Sequence, residues 1–225
     1  MRYSTFALCI AAVSALPQAP GLVYKVILPL DYSSLFSPGN GITSLGDTLV
    51  SSAQQTSVHA NAIYNASGQF TVDAPPSGTN VAPAIQLAQV FASANSLLWT
   101  TATELEKKVC AIASSINEQN INGQKANLVA GINAQANAIL KLKSSLDDTI
   151  AKIKSLVASF TAEEKAIFIA TIGALAKSAE ASVMPVARLI QGLQTAGVSG
   201  LAGSSSALQA SASALSQTAT NVQFD

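Results

Sequence analysis

The chain holds one histidine and two cysteines, few of the side chains most used in metal ligation and nucleophilic chemistry. His59 sits in Thr56-Ser57-Val58-His59-Ala60-Asn61, a stretch with no carboxylate or thiol to orient an imidazole. A general base needs such a partner and a metal needs several ligands, so His59 reads as a solvated or locally bonded helix histidine. Cys9 falls within an N-terminal leader, which leaves Cys110 as the single thiol of the remainder. Two fates stay open for it: an intermolecular disulfide, or a thiol shielded by a neighbouring helix. Charge is equally scarce. Charged residues make up 11% of the chain, with Lys+Arg 12 against Asp+Glu 12 and a formal net charge of +0. That balance removes the electrostatic basis for binding nucleic acid.

The usual constellations of an active site are missing as well. Asp147 and Asp148 are adjacent, and neighbours on a helix point about 100° apart, so they cannot share a proton as a catalytic dyad does. Gly197-Val198-Ser199-Gly200 follows a helix rather than a strand and lacks the spacing of a nucleophile elbow. No phosphate loop, dinucleotide fingerprint or calcium loop occurs. The expectation is a protein without catalytic residues, metal or cofactor.

What is present is a repeat. Ile132, Ile139, Leu146, Ile153 and Phe160 recur at seven-residue spacing, and a second line joins Leu128, Leu142 and Leu156. Interleaved three- and four-residue steps give a helix one continuous apolar edge, since about 3.6 residues complete a turn. Such an edge must be buried against other helices or an apolar partner. Aromatic residues are 5% of the chain and apolar residues 49%. The core should therefore be built from Ala, Leu and Ile, with helices in close approach.

Residues 1–15 read as a secretory signal: Arg2, a short apolar run from Phe6 to Val13, and small residues at Val13-Ser14-Ala15. The run is much shorter than the roughly 20 residues a membrane span needs. Cleavage would leave Leu16 as the N-terminus and place the protein outside the cell or in its wall. Residues 16–82 form an N-terminal segment. In it Leu22 to Leu30 is either a short strand or an extended stretch limited by Pro29. Ser33 to Gly41 is a loop with a turn at Pro38-Gly39-Asn40-Gly41. Ile42, Leu49 and Ile63, with Thr56 between, mark a helix over about 43–64. Asn65-Ala66-Ser67 just past its end is an N-glycosylation acceptor. Gly68 to Pro83, with Pro75, Pro76 and Gly78, is an irregular connection.

Residues 83–225 should hold the main bundle. A helix over 83–117 carries the lines Phe91, Leu98, Leu105, Ile112 and Asn95, Ala102, Val109, Ile116. Asn95 either sets register at some cost in stability or faces a wet groove. Glu104 and Lys108, like Asp148 and Lys152, are spaced as i,i+4 ion pairs. After a turn at Asn120, Asn122 and Gly123 the next helix spans 124–160, roughly 55 Å if unbroken. Thr161-Ala162-Glu163-Glu164 is a capping box that opens a helix over 162–195. Apolar on several faces and interrupted by Pro185, that helix is expected at the bundle centre. No stretch after the leader is expected to reach spanning length, since Lys165 and Lys177 bound the run Ala166 to Ala176. Gly197, Gly200 and Gly203 then lead to a last helix over 203–222, a narrow strip of Leu201, Leu208, Leu215 and Val222.

The fold expected is thus all-α, an antiparallel bundle of four to five long amphipathic helices with an irregular N-terminal segment. The leader, the Ser/Thr/Ala-rich surface and the stretch Leu128 to Leu193 resemble the fungal secreted hydrophobic-surface-binding proteins and related cell-wall mannoproteins. Leu146-Asp147-Asp148-Thr149-Ile150-Ala151-Lys152-Ile153 and Lys165-Ala166-Ile167-Phe168 carry most of the likeness. It implies a non-enzymatic secreted bundle that holds a lipid-like ligand or meets a hydrophobic surface. The ligand would be lined by Phe168, Ile172, Leu175, Val183, Val186 and Leu189. Ile139, Leu146 and Ile153 would face them if the Thr161 turn closes the two helices into a pair, with Gly173 and Pro185 loosening the packing. The alternative is a structural component of an extracellular coat, wall or matrix, self-associating through coiled coils.

Overall fold

The computed structural model describes residues 32–36, 41–70, 81–113, 124–195 and 197–224. The leader, Leu22 to Leu30, most of the Pro38–Gly41 turn, Pro75 to Gly78 and the Asn120–Gly123 turn lie outside the described residues. Five long helices make up the rest: α1 (Ile42–Gly68), α2 (Val81–Ala113), α3 (Lys125–Ser155), α4 (Ala162–Thr195) and α5 (Ala202–Thr220). The described residues contain no strand, and the fold is the expected helical bundle. Part of the expected Ser33–Gly41 loop is a single 3-10 turn, Ser33–Leu35, which lies against α2.

Helix ends follow from local chemistry. At α4 the Thr161 hydroxyl accepts from the Glu164 amide at 3.2 Å while the Glu164 carboxylate accepts from the Thr161 amide at 2.7 Å. That reciprocal box satisfies two donors that a helix start leaves orphaned. Gly41 precedes α1 without a side-chain cap. Its orphan Thr43 amide instead donates to Gln124 Oε1 at the start of α3, at 3.3 Å.

Two boundaries differ from the sequence expectation. α1 runs on to Gly68, so Asn65 lies inside its last turn and not beyond it. α3 stops at Ser155, followed by a 3-10 turn at Val157–Ser159 and an extended Phe160. A residue before a cap needs a non-helical backbone, and the capping box at Thr161 wins over the heptad line there. Phe160 still reaches the core, 6% exposed, as a chain-reversal residue.

Consecutive helices alternate in direction, but chain neighbours are not always space neighbours. The close pairs are α1–α3, α1–α2, α2–α4, α4–α5 and α3–α5, which closes a ring in the order α1, α2, α4, α5, α3. Cross-helix contacts give the directions. Ser52 meets Thr101, and Lys108 meets Ser44, so α1 and α2 are antiparallel. Thr43 meets Gln124, and Asp47 meets Asn127, so α1 and α3 are parallel. Phe70, Phe160, Phe168 and Phe224 gather edge-to-face at one end, with ring centroids 5.4–6.4 Å apart. The ends of α1, α3 and α5 thus meet the start of α4.

This ring corrects two expectations. α4 is not central: Ile169, Lys177, Glu180, Met184 and Gln191 face solvent. Nor do α3 and α4 form a close pair across the Thr161 turn, because α5 stands between them. The segment Glu164–Thr195 is also apolar and long enough to cross a membrane by length and composition, contrary to the expectation from its bounding lysines. Most of that stretch is buried within the bundle, as a core helix requires.

The tightest approach is α1 on α3, the most extensive of the helix pairs. A Cβ built on Gly131 would stand 2.6 Å from the Gly46 carbonyl oxygen, and one on Gly46 would stand 2.9 Å from the Asn127 oxygen. Small buried residues continue both lines by sevens: Ala53, Ala60 and Ser67 on α1, Ala138 and Ser145 on α3. Backbone meets backbone here, so no side chain can yield to an added methyl. Gly131→Ala should therefore destabilise by about 1–3 kcal/mol. Gly173→Ala on α4, where a Cβ meets no heavy atom within 4 Å, should stabilise by about 0.5–1 kcal/mol. Urea unfolding of the two variants checks this; equal effects would mean that the α1–α3 crossing is looser than described.

Candidate functional site

The residues expected to line an apolar site all lie inside. Ile139, Leu146, Ile153, Ile172, Leu175 and Val186 are 0% exposed, Phe168 is 1%, and Val183 and Leu189 are 4%. They belong to one continuous apolar core to which every helix contributes. α3 and α4 bring these residues into that core from opposite sides of α5 rather than as a facing pair. Pro185 lies within α4, which continues through it, and the space beside Gly173 is open rather than packed.

α5 closes this core between α3 and α4. Its hold is the strip Leu201, Leu208, Ala212 and Leu215, extended by Val222 and Phe224. One cross-helix hydrogen bond ties it to α3: Thr218 Oγ1 donates to Asp147 Oδ1 at 3.0 Å. Asp147 is braced from below by Lys143 at 2.6 Å, which is the ion pair found on this face in place of the expected Asp148–Lys152. The chain enters α5 through Gly197 and Gly200, with φ of 90° and 81°. Only glycine takes that backbone at little cost, so the two residues form a joint in front of the shortest of the five long helices.

The core is not uniformly apolar. Midway along the bundle, Thr56 Oγ1, Asn95 Oδ1, Trp99 Nε1 and both amide atoms of Gln135 are buried without a protein hydrogen-bond partner. Taking the Ser52–Thr101 and Gly46–Gly131 contacts as marks, these groups fall within about 10 Å of one another along the axis. Thr56 interrupts the line Ile42, Leu49, Ile63 of α1, and Gln135 interrupts the line Leu128, Leu142 of α3. A polar residue inside a heptad line is the signal in the sequence that marks Gln135. Asn95, half-buried, falls in the same layer, between the two roles left open for it.

A second polar group lies nearer the N-terminal end of α1. Glu106, 1% exposed, receives a bidentate bond from Arg188 of α4, at 3.2 Å from Nη1 and 3.0 Å from Nη2. The fork geometry suits a buried carboxylate. Cys110 Sγ lies 3.8 Å from the same carboxylate, and the thiol is half-buried, outside the core lines as expected. Lys108 is not the solvated partner of Glu104; Lys107 takes that role at 2.7 Å. Lys108 is buried instead and donates to Ser44 Oγ at 2.7 Å. Burial pushes its ammonium below the usual lysine range, opposed by the nearby Glu104 and Asp47.

His59 has a partner from outside its helix: the Tyr32 hydroxyl lies 3.1 Å from Nε2, and the two rings meet edge-on. Burial lowers its pKa from 6.5. The unfolded chain then holds more protons than the folded one as pH falls below 6.5, so stability is full above that value and declines beneath it. A fall in melting temperature between pH 7 and pH 5, smaller in His59→Gln, is the expected result; an identical fall in both would assign the acid sensitivity elsewhere.

Two grooves lie on the surface of the described residues. One, of ≈ 630 Å³, is lined by Tyr64, Asn65, Ser67, Gly68, Gln69, Asp148 and Lys152. The other, of ≈ 350 Å³, runs along the α3–α5 seam beside Asp147, Ile150, Lys154, Thr218 and Val222. Neither touches the nine expected lining residues. Among the described residues no cluster of His, Cys, Asp and Glu is placed to hold a metal ion. No family model, curated protein or solved structure matches this chain.

Gln135 offers a direct test of the polar layer. An amide buried without partners costs about 1–3 kcal/mol, and leucine has a similar volume, so Gln135→Leu should stabilise the bundle by about 1 kcal/mol or more. A loss of stability would show that the amide is satisfied in the folded protein.

Proposed function

We propose that this is a secreted, non-enzymatic bundle that binds apolar molecules or coats apolar surfaces by letting α5 leave its core. The observation that carries this reading is the pairing of one connected apolar core with a cover held by a narrow strip. Leu201, Leu208 and Leu215 occupy the apolar ground between α3 and α4 that a lipid chain or an oily surface would occupy in their place. Exchange of one apolar occupant for another keeps the area removed from water, worth about 25 cal/mol per Å², nearly constant. The glycine joint lets α5 swing without disturbing α4, and the unpartnered amides of the mid-bundle layer gain water when the bundle opens. Specificity should be broad, since area and not hydrogen bonding supplies the affinity. The resemblance to hydrophobic-surface-binding proteins supports the same reading.

The structural alternative is less favoured by the same geometry. Ile132, Ile139, Leu146 and Ile153, the seam that would pair chains in a coiled coil, are consumed inside the chain's own core.

The test joins Asp147→Cys and Thr218→Cys with a short reducible cross-linker in a Cys110→Ser background. A long-chain fatty-acid fluorophore and an oil–water interface serve as probes. The linked protein should lose most probe binding and surface adsorption, and reduction should restore both. Equal binding in linked and reduced forms, or no saturable binding by the unlinked protein, would overturn the proposal.

A further inference from the structure

The larger groove mixes polar and apolar surface, and the polar groups in it set it apart from a purely apolar binding site. Tyr64, 57% exposed, contributes an aromatic ring to its lining. Gln69 at the end of α1, and Asp148 and Lys152 on α3, add an amide, a carboxylate and an ammonium. A flat ring beside donors and acceptors of both kinds is the chemistry that holds a sugar: the ring covers the C–H face while the polar groups bond the hydroxyls. At ≈ 630 Å³ the groove is within the range of small-molecule sites, about 300–1,000 Å³. Asn65, the acceptor of the glycosylation pattern Asn65-Ala66-Ser67, is exposed and is itself part of the lining.

We infer that the groove is the seat of the first sugars of a glycan carried by Asn65, which docks against Tyr64 and bridges α1 to Asp148 and Lys152 of α3. This rests on the proposed export of the protein. Attachment requires a diphosphate-linked oligosaccharide donor: the bond from the sugar C1 to phosphate oxygen breaks, and C1 bonds to Asn65 Nδ2. The amide gives up one proton, and the diphosphate carrier leaves. Timing follows from Ser67. Ser67 is 3% exposed and its hydroxyl donates to the Tyr64 carbonyl at 2.8 Å, so the acceptor pattern is locked in the folded helix. The sugar is added before the last turn of α1 closes, and folding then lays it into the groove.

The experiment expresses the full chain in a eukaryotic secretory host as wild type, Asn65→Gln, Tyr64→Ser and the double variant. Mass spectrometry reports occupancy, and melting temperature reports docking. A docked glycan makes wild type melt about 2–4 °C above Asn65→Gln. Tyr64→Ser should abolish most of that difference while remaining glycosylated, and should change little in the Asn65→Gln background. Native protein should also resist endoglycosidase until unfolded. Protein absent from the medium overturns export and the glycan with it, whereas an exported chain with bare Asn65 overturns the glycan alone. A glycan whose removal leaves the melting temperature unmoved, with Tyr64→Ser acting equally in both backgrounds, overturns docking.

Discussion

The contact of Gly46 with Gly131 is the constraint on which the arrangement of this bundle depends. With no side chains at the crossing, the backbones of two parallel helices come close enough that a methyl group would fall within 3 Å of a carbonyl. Ala53, Ala60, Ala138 and Ser145 keep the seam narrow further along. Once α1 and α3 are joined side by side, α2 must return along the other flank of α1. The capped turn at Thr161 then delivers α4 beside α2 rather than beside α3. That leaves a gap between α3 and α4, and α5 fills it.

The ends and the middle of the ring do different physical work. Four phenylalanines seal one end with edge-to-face contacts, each worth about 0.5–1.5 kcal/mol beyond the area buried. Toward the other end, the Glu106–Arg188 fork and the Lys108–Ser44 bond tie α2 to α4 and to α1. Between them lies the layer of Thr56, Asn95, Trp99 and Gln135, where burial is least favourable. Neither set of strong ties includes α5 along its length, whose polar link to α3 is the Thr218–Asp147 bond. Strength is thus distributed so that polar ties brace the first four helices, while the last helix is held mainly by its apolar strip.

Much of the core was legible beforehand because heptad spacing fixes which face of a helix is apolar. Ile132, Ile139, Leu146 and Ile153 are all buried, as are Leu128, Leu142 and Leu156. The capping box at Thr161 was legible for the same reason: its four residues are contiguous and its bonds are local. The α3–α4 pair failed because it treated chain order as spatial order. The central place given to α4 rested on apolar residues falling on several of its faces, and the Glu104–Lys108 pair on spacing along one helix. Lys108 turned instead to Ser44, 64 residues away. The groove at Asn65 was unreadable because part of its lining, Asp148 and Lys152, comes from α3.

By itself the sequence determined that this chain is helical, where its helices begin and end to within a few residues, and which edges they bury. Those are properties of spacing, capping and composition, and they act over one or two turns. Only the tertiary structure decided which helices touch, that α5 covers the ground between α3 and α4, and that Tyr32 reaches His59. These outcomes depend on how closely two backbones approach and on where the polar groups of distant segments find partners. A periodic apolar edge names its own face but not its neighbour, since many helices present an equivalent one. Two glycines that happen to meet, Gly46 and Gly131, made that choice here.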